Sequence, residues 1–413
     1  MNILVISHMY PSSQNPSYGI FIHKQIRALL ELDCKVKVIS PVPYAPWPLS
    51  VLKKKWKSYA SIPSRATLDG IEVFYPRYPE FPRSFLLEHS GFFMFLGIRN
   101  LVKSIFSEFQ FDLIHAHVAI PDGHCAYLLN KNYHVPLLIS IHGQDFQSTI
   151  LRGEGCRERM RQILLGADGI ITVSSKLKNL AKDEPYFNKI SVVNNGIDLT
   201  DCKPENERSF PNQTRQERHK DNDIVKIISV SNLKKTKGID LNIQALASLV
   251  NEYPNLKYTI VGDGEERQSL EKLVDDLHLR RHVEFIGKVP HAEAMRQMAS
   301  ADIFCLPSWQ EGFGVVYVEA MAQGVPVIGV QGEGIEDVIS HGRNGLLVRP
   351  RNPWDIVNYL KVLLNDRAYA KQLGEAGRDT ARNGFTWEHN AVKTVEIYQD
   401  LMHFQNRTNV NSA

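Results

Sequence analysis

Apolar residues in the first half of the chain fall in short unbroken runs, at 3–7, 36–41, 72–75, 112–115, 137–142, 169–173 and 190–193. These runs are rich in Ile and Val and largely lack polar alternation, the pattern of parallel strands buried on both faces. Amphipathic stretches at 21–32 and 160–166 lie between them, and Ser174 stands where it would cap a helix over 174–180. The repetition predicts a doubly wound β-α sheet over residues 1–200. Residues 201–222 are polar and charged, carry Pro204 and Pro211, and are expected to be a linker. The β-α pattern then restarts. Strands are expected at 224–230, 258–261, 283–286, 303–306, 325–330 and 345–348, with helices at 241–252, 265–277 and 292–299. This predicts a second wound domain over 223–384. Beyond the breaker Asn383-Gly384, apolar residues recur at helical spacing from Trp387 to about Phe404, predicting a terminal helix within 385–413.

Composition adds limits. The 413 residues are 43% hydrophobic and 23% charged, ordinary values for a globular protein with real cores. Five cysteines are scattered without C-x-x-C pairs, which argues for reduced thiols in the cytoplasm and against a zinc site or disulfide framework. The run at 3–6 lacks a basic lead and a long apolar core, so a first strand is expected there and not a signal peptide. The most apolar run, 92–98, is too short to span a bilayer. Residues 1–199 carry 22 Lys/Arg against 16 Asp/Glu, whereas the whole chain is only +3, so the second half is acidic. No basic-aromatic platform or helix-turn-helix pattern accompanies the basic half, which excludes nucleic acid as the expected partner. Basic residues beside Trp47 and Trp56 at 44–57, followed by the apolar run near Phe92, suit an anionic membrane surface or a solvated loop.

Ligands of open α/β sheets bind outside the carboxyl ends of the strands. The loops there hold the candidate chemistry. The stretch Pro307-Ser-Trp-Gln-Glu-Gly-Phe-Gly-Val-Val-Tyr-Val-Glu319 joins an expected strand to a helix opening near Gly312–Gly314 and closing at Gly324. Such a helix start offers unpaired N–H groups and partial positive charge to an anion. Glu311 and Glu319 flank it, as carboxylates suited to accept hydrogen bonds from sugar hydroxyls. In Ser229-Val-Ser-Asn-Leu-Lys-Lys-Thr-Lys-Gly238, Lys237 can neutralise a diphosphate. Gly19 ends a Pro/Ser/Asn loop at a helix start, where backbone can approach a phosphate closely. Gly287-Lys-Val-Pro290 can hold a base through backbone groups of Lys288. Gly262 opens a G-x-G-x-x-R run, a weak imitation of a dinucleotide fingerprint. Ile139-Ser-Ile-His-Gly-Gln-Asp145 is a strand end carrying His142 and Asp145, and Asp145 is expected on the acceptor side. His115 and His117 lack an acidic third ligand for a metal and are expected to line the acceptor side.

With its glycines, the Glu311/Glu319 pair resembles the E-x7-E signature of the retaining nucleotide-sugar glycosyltransferases of family 4. The resemblance extends over most of the chain. Ile141-His-Gly-Gln-Asp145 is similar to the family's H-G-x-D, and Lys237-Gly238 to the end of its G-R-L-x-x-x-K-G. Asn232 stands in place of that pattern's arginine, so one cation is missing. Gly332–Val338 and Asn344–Val348 resemble its closing loops. The opening, with Tyr10-Pro-Ser-Ser and Asn15-Pro-Ser-Tyr-Gly-Ile-Phe21, is similar to bacterial members that build surface polysaccharides such as teichuronic acid.

The resemblance implies the GT-B architecture, two Rossmann-like domains facing a cleft with the terminal helix returning to the first. It implies transfer of a sugar from a nucleoside diphosphate, with UDP expected, to a hydroxyl of a glycan or lipid-linked acceptor. Glu311 would contact the transferred sugar and Glu319 the ribose, Gly19 would meet the pyrophosphate, and His142 would lie near the sugar's reactive side. Gly312, Phe313, Gly314 and Val315 would form the helix start beneath the diphosphate, with Gly262 behind the nucleotide. Lys237 and the helix dipole would take the place of a metal ion, and no cofactor is expected. The protein would work in the cytoplasm, peripherally at the membrane's inner face. Rival readings are a sugar-nucleotide epimerase on the same fold and a non-catalytic nucleotide-sugar-binding partner. An NAD enzyme is more remote.

Overall fold

Strands gather first because the Ile/Val runs cannot remain in water, and they pair in parallel because helices return the chain to the same sheet end. The computed structural model describes residues 1–44, 53–80, 86–202 and 224–411. The expected linker from 203 onward and the stretch 45–52, with Trp47, lie outside the described residues. The chain divides into two units, one of Met1–Gly196 with Trp387–Ala413, the other of Ile197–Thr386.

Among the described residues of the first unit, eight strands form one sheet. Their spatial order is Ile190–Val192, Gly169–Thr172, Leu137–Ile141, Leu113–His117, Asn2–Ile6, Lys35–Ile39, Ile71–Phe74 and Arg65–Leu68. All neighbours are parallel except the last two, an edge hairpin. The sequence pattern did not predict the Arg65–Leu68 strand, whose half-exposed alternating residues carry little apolar signal. Its Asp69-Gly70 turn, with φ of 47° and 79°, is a two-residue hairpin signal that was there to be read. The helix Ser90–Glu108 was likewise seen only as an apolar run. It buries Met94, Ile98, Val102 and Ile105 while leaving Phe92 and Leu96 exposed.

The terminal helix, Trp387–Asn411, belongs to this first unit. Trp387, Ala391 and Tyr398 join Ile3, Ile22 and Ile26 in its core. The Gln25 amide donates to Asn390 Oδ1 at 2.8 Å, and the Asn390 amide donates to the Asn194 carbonyl at 2.7 Å. A helix from the far end of the sequence is thereby fixed both by apolar burial and by buried hydrogen bonds that have no water to fall back on.

The second unit is an all-parallel sheet of six strands among the described residues. In spatial order they are Val283–Gly287, Leu256–Val261, Val225–Val230, Ile303–Cys305, Val327–Val330 and Leu346–Val348. Numbered along the chain from Val225, this is the order 3-2-1-4-5-6 of a Rossmann sheet, which reverses direction between Val225–Val230 and Ile303–Cys305. Loops leaving those two strands diverge to opposite sides, and the crevice between them is where such sheets bind ligands.

Candidate functional site

The crevice in the second unit brings Lys237 and Glu311 together. Lys237 follows the first strand of the reversal and Glu311 follows the second, 74 positions later. The Lys237 ammonium donates to Glu311 Oε2 at 2.5 Å, and the Ser308 hydroxyl donates to the same oxygen at 2.8 Å. Both ends of the ion pair are about one-fifth exposed, so solvent reaches them and a ligand can too.

Two glycines let the loops close up. Gly238 is left-handed at φ 65°, and a Cβ there would collide with the Pro307 carbonyl. Gly314 opens the helix Val315–Ala322 at φ 93°, with the Tyr317 ring and the Glu311 side chain where a Cβ would lie. Between them, Gln310 holds φ 68°, an uncommon conformation for a residue with a side chain. The strain is carried by surrounding bonds. Trp309 N–H donates to the Thr236 carbonyl at 2.8 Å, Tyr317 O–H to the Leu306 carbonyl at 2.7 Å, and Glu311 N–H to Glu333 Oε2 at 2.7 Å. Gly334 lies flat against the Gly312–Phe313 backbone.

Other expected donor residues take distinct places in this unit. Glu319 lies on the helix with its carboxylate 3.6 Å from His291 Nε2, which also meets Asp201 at 3.2 Å. Phe313 turns inward, 2% exposed, with its ring near Phe385, so only its backbone is available to a ligand. Val315 begins the helix and is half-buried. Gly262 packs against the Ser231 carbonyl and donates its N–H to the Gly287 carbonyl at 2.8 Å, which joins the ends of the strands Leu256–Val261 and Val283–Gly287. Asn232 and Lys288 are exposed. Ser308, Glu333 and His291 were not singled out from the sequence. Glu333 and His291 reach a candidate acid from far along the chain, whereas Ser308 is only three positions from Glu311.

Gly19, His115, His117, His142 and Asp145 belong to the first unit. Gly19 caps the helix Ile20–Leu30 in the left-handed conformation and lies against the Met9 carbonyl, so its backbone first serves contact within the chain. His117 Nδ1 and His142 Nε2 share a hydrogen bond of 3.0 Å, and His115 stacks on His117 with ring centroids 4.4 Å apart. His115 also meets Tyr398 O–H at 2.7 Å and Ser140 Oγ at 2.8 Å. The residues expected on the acceptor side are enclosed. His115, His117 and Asp145 are at most 1% exposed and face one another or the main chain instead of an open surface, because the strand runs to His117 and takes both imidazoles inside. Asp145 Oδ1 accepts the Ala119 N–H at 2.8 Å, beneath the turn that carries the partly exposed His142.

Burial sets the protonation of this cluster. It lowers His142 and His124 to about 4 and His115 to about 3, and takes His117 well below its usual value as well, with help from the neighbouring His115 and His142. Burial also raises Asp145, to about 6, against the backbone N–H groups that favour its anion. It raises Asp122 too, although His8 opposes this with a 2.8 Å contact. A histidine with a lowered folded value resists the proton that its unfolded form takes up below about 6.5. Its stabilising contribution is complete above that pH and is lost as pH falls. The raised carboxyls Asp122 and Asp145, and His8, raised beside Asp122, act in the opposite sense, but the four lowered histidines outnumber them. The melting temperature is expected to be lower at pH 5 than at pH 6.5 at constant ionic strength. A flat profile would show that these imidazoles are not neutral in the folded protein.

Among the described residues, no group of three or more His, Cys, Asp or Glu side chains is placed to hold a metal ion. Nor is any helix of those residues long and apolar enough to cross a membrane.

Comparison with known proteins agrees with this architecture. The model described as "Glycosyl transferases group 1" matches residues 210–380, and that described as "Glycosyltransferase Family 4" matches residues 19–201. TuaC of Bacillus subtilis, named as a teichuronic acid biosynthesis glycosyltransferase, is 26% identical over 401 residues, 97% of this chain and 99% of its own length. A D-inositol 3-phosphate glycosyltransferase of Corynebacterium urealyticum is 30% identical over 311 residues, 71% of this chain and 72% of its own. Among solved structures, Alr3699/HepE of Anabaena, crystallised with UDP and glucose, has the same fold. Its TM-score is 0.68 at 19% identity, covering 97% of this chain and all of that one. The matching models, the relatives and the two wound, mainly parallel sheets lead to one assignment: the chain belongs to the family 4 glycosyltransferases, enzymes of the GT-B fold.

Proposed function

We propose that the protein is a retaining glycosyltransferase that moves a sugar from a UDP-sugar to a hydroxyl group of a glycan or lipid-linked acceptor in polysaccharide synthesis. The observation that carries this is the Lys237–Glu311 pair at the point where the second sheet reverses, beside a helix opened by Gly314. The cation and the helix end suit the negative charge that accumulates on a leaving diphosphate. Glu311 accepts hydrogen bonds from sugar hydroxyls and orients the anomeric carbon, while Glu319 takes the ribose. The acceptor oxygen bonds to the anomeric carbon on the face that the diphosphate leaves. The carbon–oxygen bond to phosphate breaks, and the acceptor proton passes to a phosphate oxygen. Charge neutralisation by Lys237 and the helix end removes the need for a metal ion. UDP as the donor nucleotide is supported by its presence in the Anabaena neighbour, and a cell-envelope role by the name of the Bacillus relative.

In the first unit, His142, held by the 3.0 Å contact with His117, is the residue assigned by the family pattern to act on the transferred sugar. The experiment is proton NMR of the product formed from an α-linked UDP-sugar and a simple glycoside acceptor. An α-linked product supports the reading, and a β-linked product overturns the retaining assignment.

Membrane association rests on Lys53, Lys54, Lys55 and Lys57, in the same unit as the exposed Phe92 and Leu96. Flotation with phosphatidylglycerol vesicles should lose most of the bound protein when the four lysines become Glu. Equal flotation of the variant would end the membrane proposal without touching the chemistry.

A further inference from the structure

We propose that the second unit carries a further binding site, for a small phosphate-bearing molecule, at the end of its sheet opposite the Lys237–Glu311 pair. A cavity of about 400 Å³ opens there, at the starts of the strands Val225–Val230, Leu256–Val261 and Val283–Gly287. Because the sheet is parallel, this end is a full strand length from the loops that hold Lys237 and Glu311.

Register sets the chemistry of the cavity. Lys226 pairs with Lys257, Ile228 with Thr259, and Thr259 with Glu284. Alternate residues of a strand share one face, so the two lysines stand side by side on neighbouring strands about 4.8 Å apart. Like charges at facing register positions repel and destabilise a sheet unless something lies between them. Among the described residues, little does so. Lys257 Nζ donates to the Arg281 carbonyl, and that neutral contact steers the lysine without cancelling its charge. Arg281 is exposed at the rim and adds a third cation, while Arg280 is engaged by Asp275. Among the described lining residues, Glu284 is the one acid.

Three cations around a floor of Ile228 and Thr259 form a built recess and not a flat charged patch. Guanidinium and ammonium groups are the groups that bind phosphate oxygens by charge-assisted hydrogen bonds. The apolar and hydroxyl floor suits the body of a sugar phosphate. The volume falls within the range of small-ligand pockets and is too confined for a polymer to lie along. The site is separate from donor binding and does not depend on the proposed reaction.

The test is isothermal titration of the full chain with pyrophosphate and, separately, glucose 6-phosphate at about 150 mM salt, where long-range attraction is screened. Lys237→Met is used so that the donor site does not contribute. This protein is expected to bind one equivalent of either probe. Adding Lys226→Gln and Lys257→Gln should weaken binding at least about tenfold. Arg281→Gln, an exposed change that the fold tolerates, should weaken it in the same direction. An unchanged melting temperature shows that the variants remain folded. Unaltered affinity in both variants, or no binding to the Lys237→Met protein, would overturn the proposal. Retention on phosphatidylglycerol vesicles through these same residues, with no binding of either soluble probe, would also overturn it in favour of lipid headgroups.

Discussion

Glu311→Gln reduces sugar transfer by about 10²–10³-fold or more while the protein keeps its melting temperature within a few degrees. The amide is nearly isosteric and still accepts a hydrogen bond from Ser308, so the loop has no reason to collapse. It cannot carry the charge that pairs with Lys237 at 2.5 Å, and it is a weaker acceptor for sugar hydroxyls. The pair is partly exposed, which keeps its value to folding small even though its value to a bound, water-excluded transition state is large. Steady-state transfer assays beside thermal denaturation separate the two. Turnover within a few-fold of wild type would remove Glu311 from the chemistry.

Lys237→Met is expected to cost about 10²–10³-fold in turnover, because its ammonium is the cation proposed to neutralise the leaving diphosphate. Asn232 stands where the family pattern has arginine, so this chain leans on Lys237 more heavily than that pattern requires. Lys237→Arg should recover only part of the activity. A planar fork does not reproduce a point charge held between one carboxylate oxygen and a ligand. The double variant with Glu311→Gln should lose far less than the product of the two single losses, since the residues act as a unit. Fully multiplicative losses would mean that the pair is a coincidence of position.

Much of this site was legible in the sequence, for a physical reason. Gly314 and Gly324 mark a helix start and stop, and both adopt the left-handed backbone for which glycine is suited, at φ 93° and 66°. The Ile/Val runs gave seven of the first unit's strands because parallel strands buried on two faces leave an unbroken apolar signature. The edge strand Arg65–Leu68 has no such signature, being buried on neither face. Nor was the support around Glu311 readable. Glu333 reaches the Glu311 N–H because Val327–Val330 lies beside Ile303–Cys305, a neighbourhood set by sheet order and not by local spacing. Nor was the burial of His115 and His117 readable. A histidine looks like surface chemistry in a sequence, yet His115 has both ring nitrogens met in the core by Tyr398 and Ser140, while His117 shares one nitrogen with His142 and keeps its buried Nε2 without a hydrogen-bond partner.

A crystal structure of the protein with UDP tests the central claim most directly. The account predicts the diphosphate within hydrogen-bonding distance of Lys237 Nζ and of the backbone N–H groups at Gly314–Val315, with the ribose hydroxyls at Glu319. UDP seated elsewhere, with the Lys237–Glu311 contact undisturbed and no ligand at the helix start, would contradict it.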